Sequence, residues 1–123
     1  MSAPPKRILI VDDNADLRLM LKLALESAGY AVQVAADGRE ALRLQREAPA
    51  DVVITDLFMP ETDGFETIQG LRADYPHTRI VVMSGDSKRV RQDYLSSAEL
   101  MGVQATLRKP VDVELLLQML RRL

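Results

Sequence analysis

Ile8-Leu9-Ile10-Val11-Asp12-Asp13-Asn14, at residues 8–14, is an apolar run that ends on two acids and an amide. A strand with one wet face alternates apolar and polar residues, whereas a strand covered on both faces is apolar throughout, as in a parallel sheet. Two further runs share this character, Val-Val-Ile at 52–54 and Ile-Val-Val-Met at 80–83. Weaker runs at 31–35 and 103–107 fit edge or near-edge strands.

The intervening segments carry helical spacing. Leu17, Leu21, Ala24 and Ala28 share one face, as do Phe65, Ile68 and Leu71, then Val90, Tyr94, Ala98 and Met101, and finally Val113, Leu116, Leu117 and Leu120. Residues 39–47 read as a shorter helix that turns Ala41 and Leu44, with Ala48 just beyond, toward the sheet. Gly29 and Gly102 stand where helix C-caps belong, and the Asp-Gly pairs at 37–38 and 63–64 mark loops or helix starts. The result is five β–α units in strict alternation. Alternation requires right-handed crossovers and a doubly wound parallel sheet with helices on both faces, an α/β fold of five strands and five helices. In such sheets chemistry sits beyond the carboxyl ends of the strands, near the point where strand order reverses.

The chain has 123 residues, 47% of them apolar, which is enough for one domain spanning 1–123 and too little for two. A formal net charge of −2 gives no general pull toward nucleic acid or an acidic membrane surface. The absence of cysteine excludes disulfides and thiolate zinc sites. No apolar run approaches the length of a membrane span or a signal core, so a soluble cytoplasmic protein is expected. Leu115, Met119 and Leu123 add a second apolar strip to the last helix, and Leu19 and Leu23 do so on the first. Such strips point to a partner helix or to self-association through the last helix.

Asp12 and Asp13 follow the first strand, Asp56 the third, Ser84 and Gly85 the fourth, and Lys109 the fifth. Three carboxylates gathered at one sheet edge repel unless a cation lies among them, and an all-oxygen donor set favours a hard ion, Mg²⁺ or Mn²⁺. The lone His77, in a loop, is a poor ligand candidate. Each motif also has a plainer reading. Asp12-Asp13-Asn14 fits helix capping, Asp56 a solvated loop residue, and Lys109-Pro110 a turn before a helix.

Taken together, Ile-Leu-Ile-Val-Asp-Asp-Asn at 8–14, Asp-Leu-Phe-Met-Pro at 56–60 with Asp63-Gly64 behind it, Ser84-Gly85, and Leu-Arg-Lys-Pro at 107–110 resemble the receiver domain of two-component response regulators. The resemblance covers essentially the whole chain. It implies a flavodoxin-like sheet of order 2-1-3-4-5 and a signalling switch, not a dedicated enzyme, that catalyses only its own phosphorylation and dephosphorylation. By the same resemblance Asp56 is the phospho-acceptor, charged from a histidine kinase or histidine phosphotransfer protein. Asp13, Asp56 and the main-chain carbonyl of Phe58 would hold Mg²⁺, with Asp12 acting through water and by its charge. Ser84 would bond a phosphoryl oxygen in the active state, and Lys109 would pair first with Asp56 and then with the phosphoryl group. The Lys109–Pro110 bond is expected to be cis, aiming the ammonium at the site. The output would be a downstream protein or an output domain outside these residues, with no direct contact to nucleic acid or membrane.

Two features depart from the family pattern. Thr106 stands three positions before the lysine, where an aromatic residue is usual, which points to an output carried less by an aromatic rotamer and more by the segment from Gly85 onward. The spacing from Ser84 to Lys109 is also longer than the pattern, with the excess expected at residues 86–92, where Lys88, Arg89 and Arg91 lie. Other classes fit less well. An aspartate-nucleophile phosphohydrolase wants a second aspartate where Phe58 stands, and a flavin-binding domain wants a phosphate loop where Asp12-Asp13-Asn14 stand. A pseudo-receiver that binds partners without phosphorylation would not need the full acidic set.

Overall fold

The computed structural model describes residues 7–57, 64–85 and 102–123. Five strands, β1 (Arg7–Val11), β2 (Ala31–Ala35), β3 (Val52–Asp56), β4 (Arg79–Ser84) and β5 (Ala105–Arg108), form one parallel sheet in the order β2-β1-β3-β4-β5. Four helices are described, α1 (Ala15–Ser27), α2 (Gly38–Glu47), α3 (Gly64–Asp74) and α4 (Val113–Arg122). The flavodoxin-like doubly wound order expected from the resemblance is present. The helix expected through Val90, Tyr94, Ala98 and Met101 lies outside the described residues, as do the side chain of Phe65 and the segment 86–92.

The unbroken apolar runs are explained by burial on both sides. Ile8, Ile10, Ile54, Val81, Met83 and Leu107 pack against Leu21 and Leu25 of α1 and Leu116 and Leu120 of α4. Leu9, Val11, Val53, Ile80 and Val82 face the other way, against Ala41 of α2 and Ile68 and Leu71 of α3. Successive side chains on a strand point to opposite faces, so each run serves two cores at once. The chain steps from β1 outward to β2, then crosses to β3 on β1's other side. The crevice where order reverses therefore lies between the carboxyl ends of β1 and β3.

Several details differ from the expected pattern, each for a physical reason. On α1, the fully buried pair is Leu21 and Leu25, whereas Leu17 is partly buried and Ala28 is exposed. Ala28 is the C-cap, beyond the last turn, and Gly29 at φ +100° ends the helix in the left-handed region. Gly29 N donates to Glu26 O and Tyr30 N to Leu25 O, the paired bonds that close a Schellman motif. On α2, Gln45, outside the expected Ala41–Leu44 face, is fully buried. Its amide is satisfied at both ends: Ala50 N donates to Oε1 at 2.9 Å, and Nε2 donates to Thr78 Oγ1 at 2.9 Å. This clasp fastens α2 to the amino ends of β3 and β4. Strand β5 begins at Ala105 rather than 103, because the Gln104 side chain takes a ladder position. Its Oε1 accepts from Ile80 N at 2.8 Å while its main-chain N donates to Ile80 O.

The second apolar strips divide. Met119 and Leu123 pack onto the core cluster, leaving Leu115 exposed on α4, while Leu19 and Leu23 on α1 are each 57% exposed. No helix among the described residues is long and apolar enough to cross a membrane.

Candidate functional site

Strand ends assemble the site. Asp12 continues β1 by one residue, its N donating to Ala35 O at 3.1 Å, and its side chain is fully buried. Asp56 is the last residue of β3, level with Met83 of β4, and almost fully buried. Ser84 closes β4 and is buried. Lys109 follows β5, and its N donates to Ser84 O at 2.8 Å, so the pairing of β4 with β5 carries the lysine to the same edge. The Lys109–Pro110 peptide bond is cis. Phe58 and Asp63 lie outside the described residues.

The Lys109 ammonium joins two acids. Nζ donates to Asp12 Oδ2 at 2.7 Å and to Asp56 Oδ2 at 3.0 Å. The shorter bond goes to Asp12, which the resemblance had not paired with the lysine. Burial of the ammonium, the largest single influence, pulls its pKa down, but the hydrogen bonds to Asp12 and Asp56 and their negative charges together win, and the net direction is upward from 10.5. Lys109 is therefore a fixed cation at neutral pH.

The capping reading of Asp12-Asp13-Asn14 is realised by one residue of the three. Asn14 is the N-cap of α1, its Oδ1 accepting from Leu17 N at 3.1 Å. Asp12 Oδ1 accepts from Asn14 N at 2.8 Å. Asp13 stands exposed between them, with no hydrogen bond or ion pair to any described residue. Arg18 enters as well, a residue that apolar periodicity could not single out. Its Nη1 donates to the main-chain O of Asp12 at 2.7 Å.

Asp12, Asp13 and Asp56 each present a carboxylate oxygen, and these oxygens lie within 4.8 Å of one another. One ammonium against three carboxylates leaves an anionic excess that a divalent cation would offset. The donors are all hard oxygens, two buried and one exposed, which suits an ion that keeps part of its water shell. The set fits Mg²⁺. At the carboxyl end of β4, Ser84 Oγ is buried and has no hydrogen-bond partner among the described residues. A buried hydroxyl costs free energy unless something accepts its proton, so an incoming oxyanion would find a donor in waiting. Thr106 is half-buried, level with Val82, on the sheet face that also carries Ser84 by strand alternation.

A crevice at the switch point, three acids, a lysine bridging two of them and a spare buried hydroxyl define a phosphoryl-accepting signalling domain. A family model described as the response regulator receiver domain matches residues 8–121. The chain belongs to that family, whose members are signalling domains of two-component systems. The chain is 38% identical over 120 residues, 97% of its length, to response regulator MprA of Mycolicibacterium vanbaalenii, of which it spans 50%. It is 42% identical over 80 residues, 64% of its length, to the chemotaxis protein CheY of Thermotoga maritima, covering 67% of that protein. Among solved structures, a response regulator receiver protein from Pseudomonas putida superposes with a TM-score of 0.86 at 33% identity, covering 99% of this chain and 100% of that one. The chemotaxis response regulator CheY4 of Vibrio cholerae gives 0.82 at 36% identity, covering 95% and 97%. The chain thus spans about half the length of MprA. Membership sets aside the flavin-binding and phosphohydrolase alternatives.

Proposed function

We propose that residues 1–123 are one receiver domain in which Asp56 accepts a phosphoryl group from a histidine kinase or histidine phosphotransfer protein, with Mg²⁺ held by Asp13 and Asp56 and by the Phe58 main-chain carbonyl, and by Asp12 through water. The observation that carries this reading is the Lys109 ammonium seated on both Asp12 and Asp56, 2.7 and 3.0 Å away, with the Ser84 hydroxyl, unpartnered among the described residues, at the end of β4. Asp56 supplies the nucleophile. A carboxylate oxygen attacks phosphorus in line, the phosphorus–nitrogen bond of the donor breaks, and an aspartyl phosphate results. Mg²⁺, when bound, offsets the charge of the carboxylates and of the phosphoryl oxygens. Lys109, already within reach of Asp56, turns to a phosphoryl oxygen, and Ser84 Oγ donates to another. Both interactions strengthen as charge builds on those oxygens, so catalysis here is positioning and electrostatic stabilisation. Beyond its own phosphorylation and dephosphorylation the domain performs no chemistry. It works in the cytoplasm, passing the change to a downstream protein or an attached output domain.

Incubation with acetyl phosphate and Mg²⁺, followed by intact mass measurement, tests the reading. A phosphoryl adduct in the native chain that is absent in Asp56→Ala is the expected result. No adduct, together with no response to beryllofluoride, would refute it.

A further inference from the structure

We infer that Arg18 is a positioning residue for the metal site: its guanidinium, by holding the main-chain carbonyl of Asp12, fixes the turn that presents Asp13. The inference rests on the reading of Asp12, Asp13 and Asp56 as the Mg²⁺ site.

Asp12 is restrained at every polar atom. Its N bonds Ala35 O, its Oδ1 receives Asn14 N, its Oδ2 receives Lys109 Nζ, and its O receives Arg18 Nη1 at 2.7 Å. Asp13 has no such restraint from any described residue, so its direction depends on the main chain on either side of it. On the far side that chain is fixed by Asn14, which caps α1 through Leu17 N and whose O accepts from Arg18 N at 3.1 Å. On the near side the Asp12 carbonyl is half of the peptide unit leading into Asp13, and Arg18 is its partner. A single residue on the first turn of α1 thus reaches back across the turn and closes it at both ends, by its main chain and by its side chain.

Two opposing effects follow from a cation placed here. Its charge repels a divalent ion, while its hydrogen bond orders the turn. The carbonyl bond is short, charge-assisted and part-buried, and such a bond outweighs a repulsion between charges separated by partly wet surroundings. Ordering therefore wins, and loss of the guanidinium weakens metal binding. Groups that orient metal ligands without touching the ion commonly change affinity by about 10–100-fold when removed.

Titration of the unphosphorylated protein with MgCl₂ in a calorimeter tests this, alongside urea unfolding in EDTA. Arg18→Ala is expected to raise the Mg²⁺ Kd by about 10-fold, with Arg18→Lys recovering part of the loss because its ammonium can still donate to the carbonyl. Arg18→Met keeps the apolar stem without the donor and repeats the result should the alanine variant be too unstable. The urea midpoint in EDTA reads the stability cost of the lost bond separately, and each Kd is taken where the variant is folded. An unchanged Kd in Arg18→Ala and Arg18→Met, with native binding intact, overturns the inference alone. A tighter Kd overturns it too, showing the charge to outweigh the turn. Absence of Mg²⁺ binding by the native chain overturns the site reading and the inference with it.

Discussion

Lys109 holds apart two buried acids that would otherwise face each other uncompensated. Replacing it with Met leaves Asp12 and Asp56 without their shared donor, and the metal-free protein should lose at least about 1.5–3 kcal/mol, the usual worth of one hydrogen bond to a charged group, since two are removed. Mg²⁺ should restore most of that loss, since it supplies the missing positive charge. Urea unfolding in EDTA and then in MgCl₂ measures both. The pH dependence has a definite sign. A lysine whose folded pKa is raised stabilises the fold fully below its ordinary value of 10.5, and that contribution disappears as pH climbs through the raised value. From neutral pH upward, the stability gap between the native chain and Lys109→Met should stay flat until about that point and then narrow. At Thr106 the expected result is silence. Thr106→Tyr should leave acetyl phosphate labelling and the phosphate dependence of partner binding unchanged. A Thr106→Ala variant that labels normally but loses phosphate-dependent binding would instead place signal transmission at this residue. The placement of the acids, the serine and the lysine at one sheet edge was legible because they follow apolar runs, while the roles proposed for them came with the resemblance. Arg18 was not, because a side chain reaching back to a main-chain carbonyl leaves no periodic trace.

Helix α1 separates what its sequence could say from what it could not. Leu21 and Leu25 are fully buried, Leu19 and Leu23 face solvent, and all four are leucines. Leu25→Ala should cost about 2–5 kcal/mol by creating a cavity under the sheet, whereas Leu23→Ala should fall within about 0.5 kcal/mol of the native chain. Chemical denaturation distinguishes them. A helical wheel names a stripe but not its exact rotation, and the expected stripe through Leu17, Ala24 and Ala28 was displaced toward Leu25. Strands fared better, since four of the five runs lie within observed strands almost residue for residue. The exception, β5, begins late because the Gln104 amide imitates backbone, and a glutamine in sequence does not announce that role. Gln45 is the same lesson on α2. Gln45→Ala strands Ala50 N and should cost about 1–3 kcal/mol, a value the same unfolding series reads directly.

At the scale of the molecule, alternation of strands and helices was enough to derive a parallel doubly wound sheet, but not its order. Any of several right-handed orders satisfies alternation, and the order 2-1-3-4-5 came with the family resemblance. That order puts β1 and β3 side by side, and so brings Asp12, Asp13 and Asp56 together. A metal held by this trio would be linked thermodynamically to the fold. Mg²⁺ at 100 times its Kd should add about 2.7 kcal/mol to the stability of the whole domain. Asp13→Asn should abolish most of that gain while leaving the metal-free protein at least as stable, because an exposed member of a repelling trio is neutralised. Thermal melts with and without MgCl₂ give the comparison.

The bond from Lys109 N to Ser84 O makes one crosspiece of two tools. The residues that carry the hydroxyl and the ammonium stand at opposite ends of a single ladder rung. A displacement of Ser84 along β4 would therefore be felt by the Lys109 main chain, and exchange of the Lys109 amide with deuterium measures how firmly the two strand ends are tied.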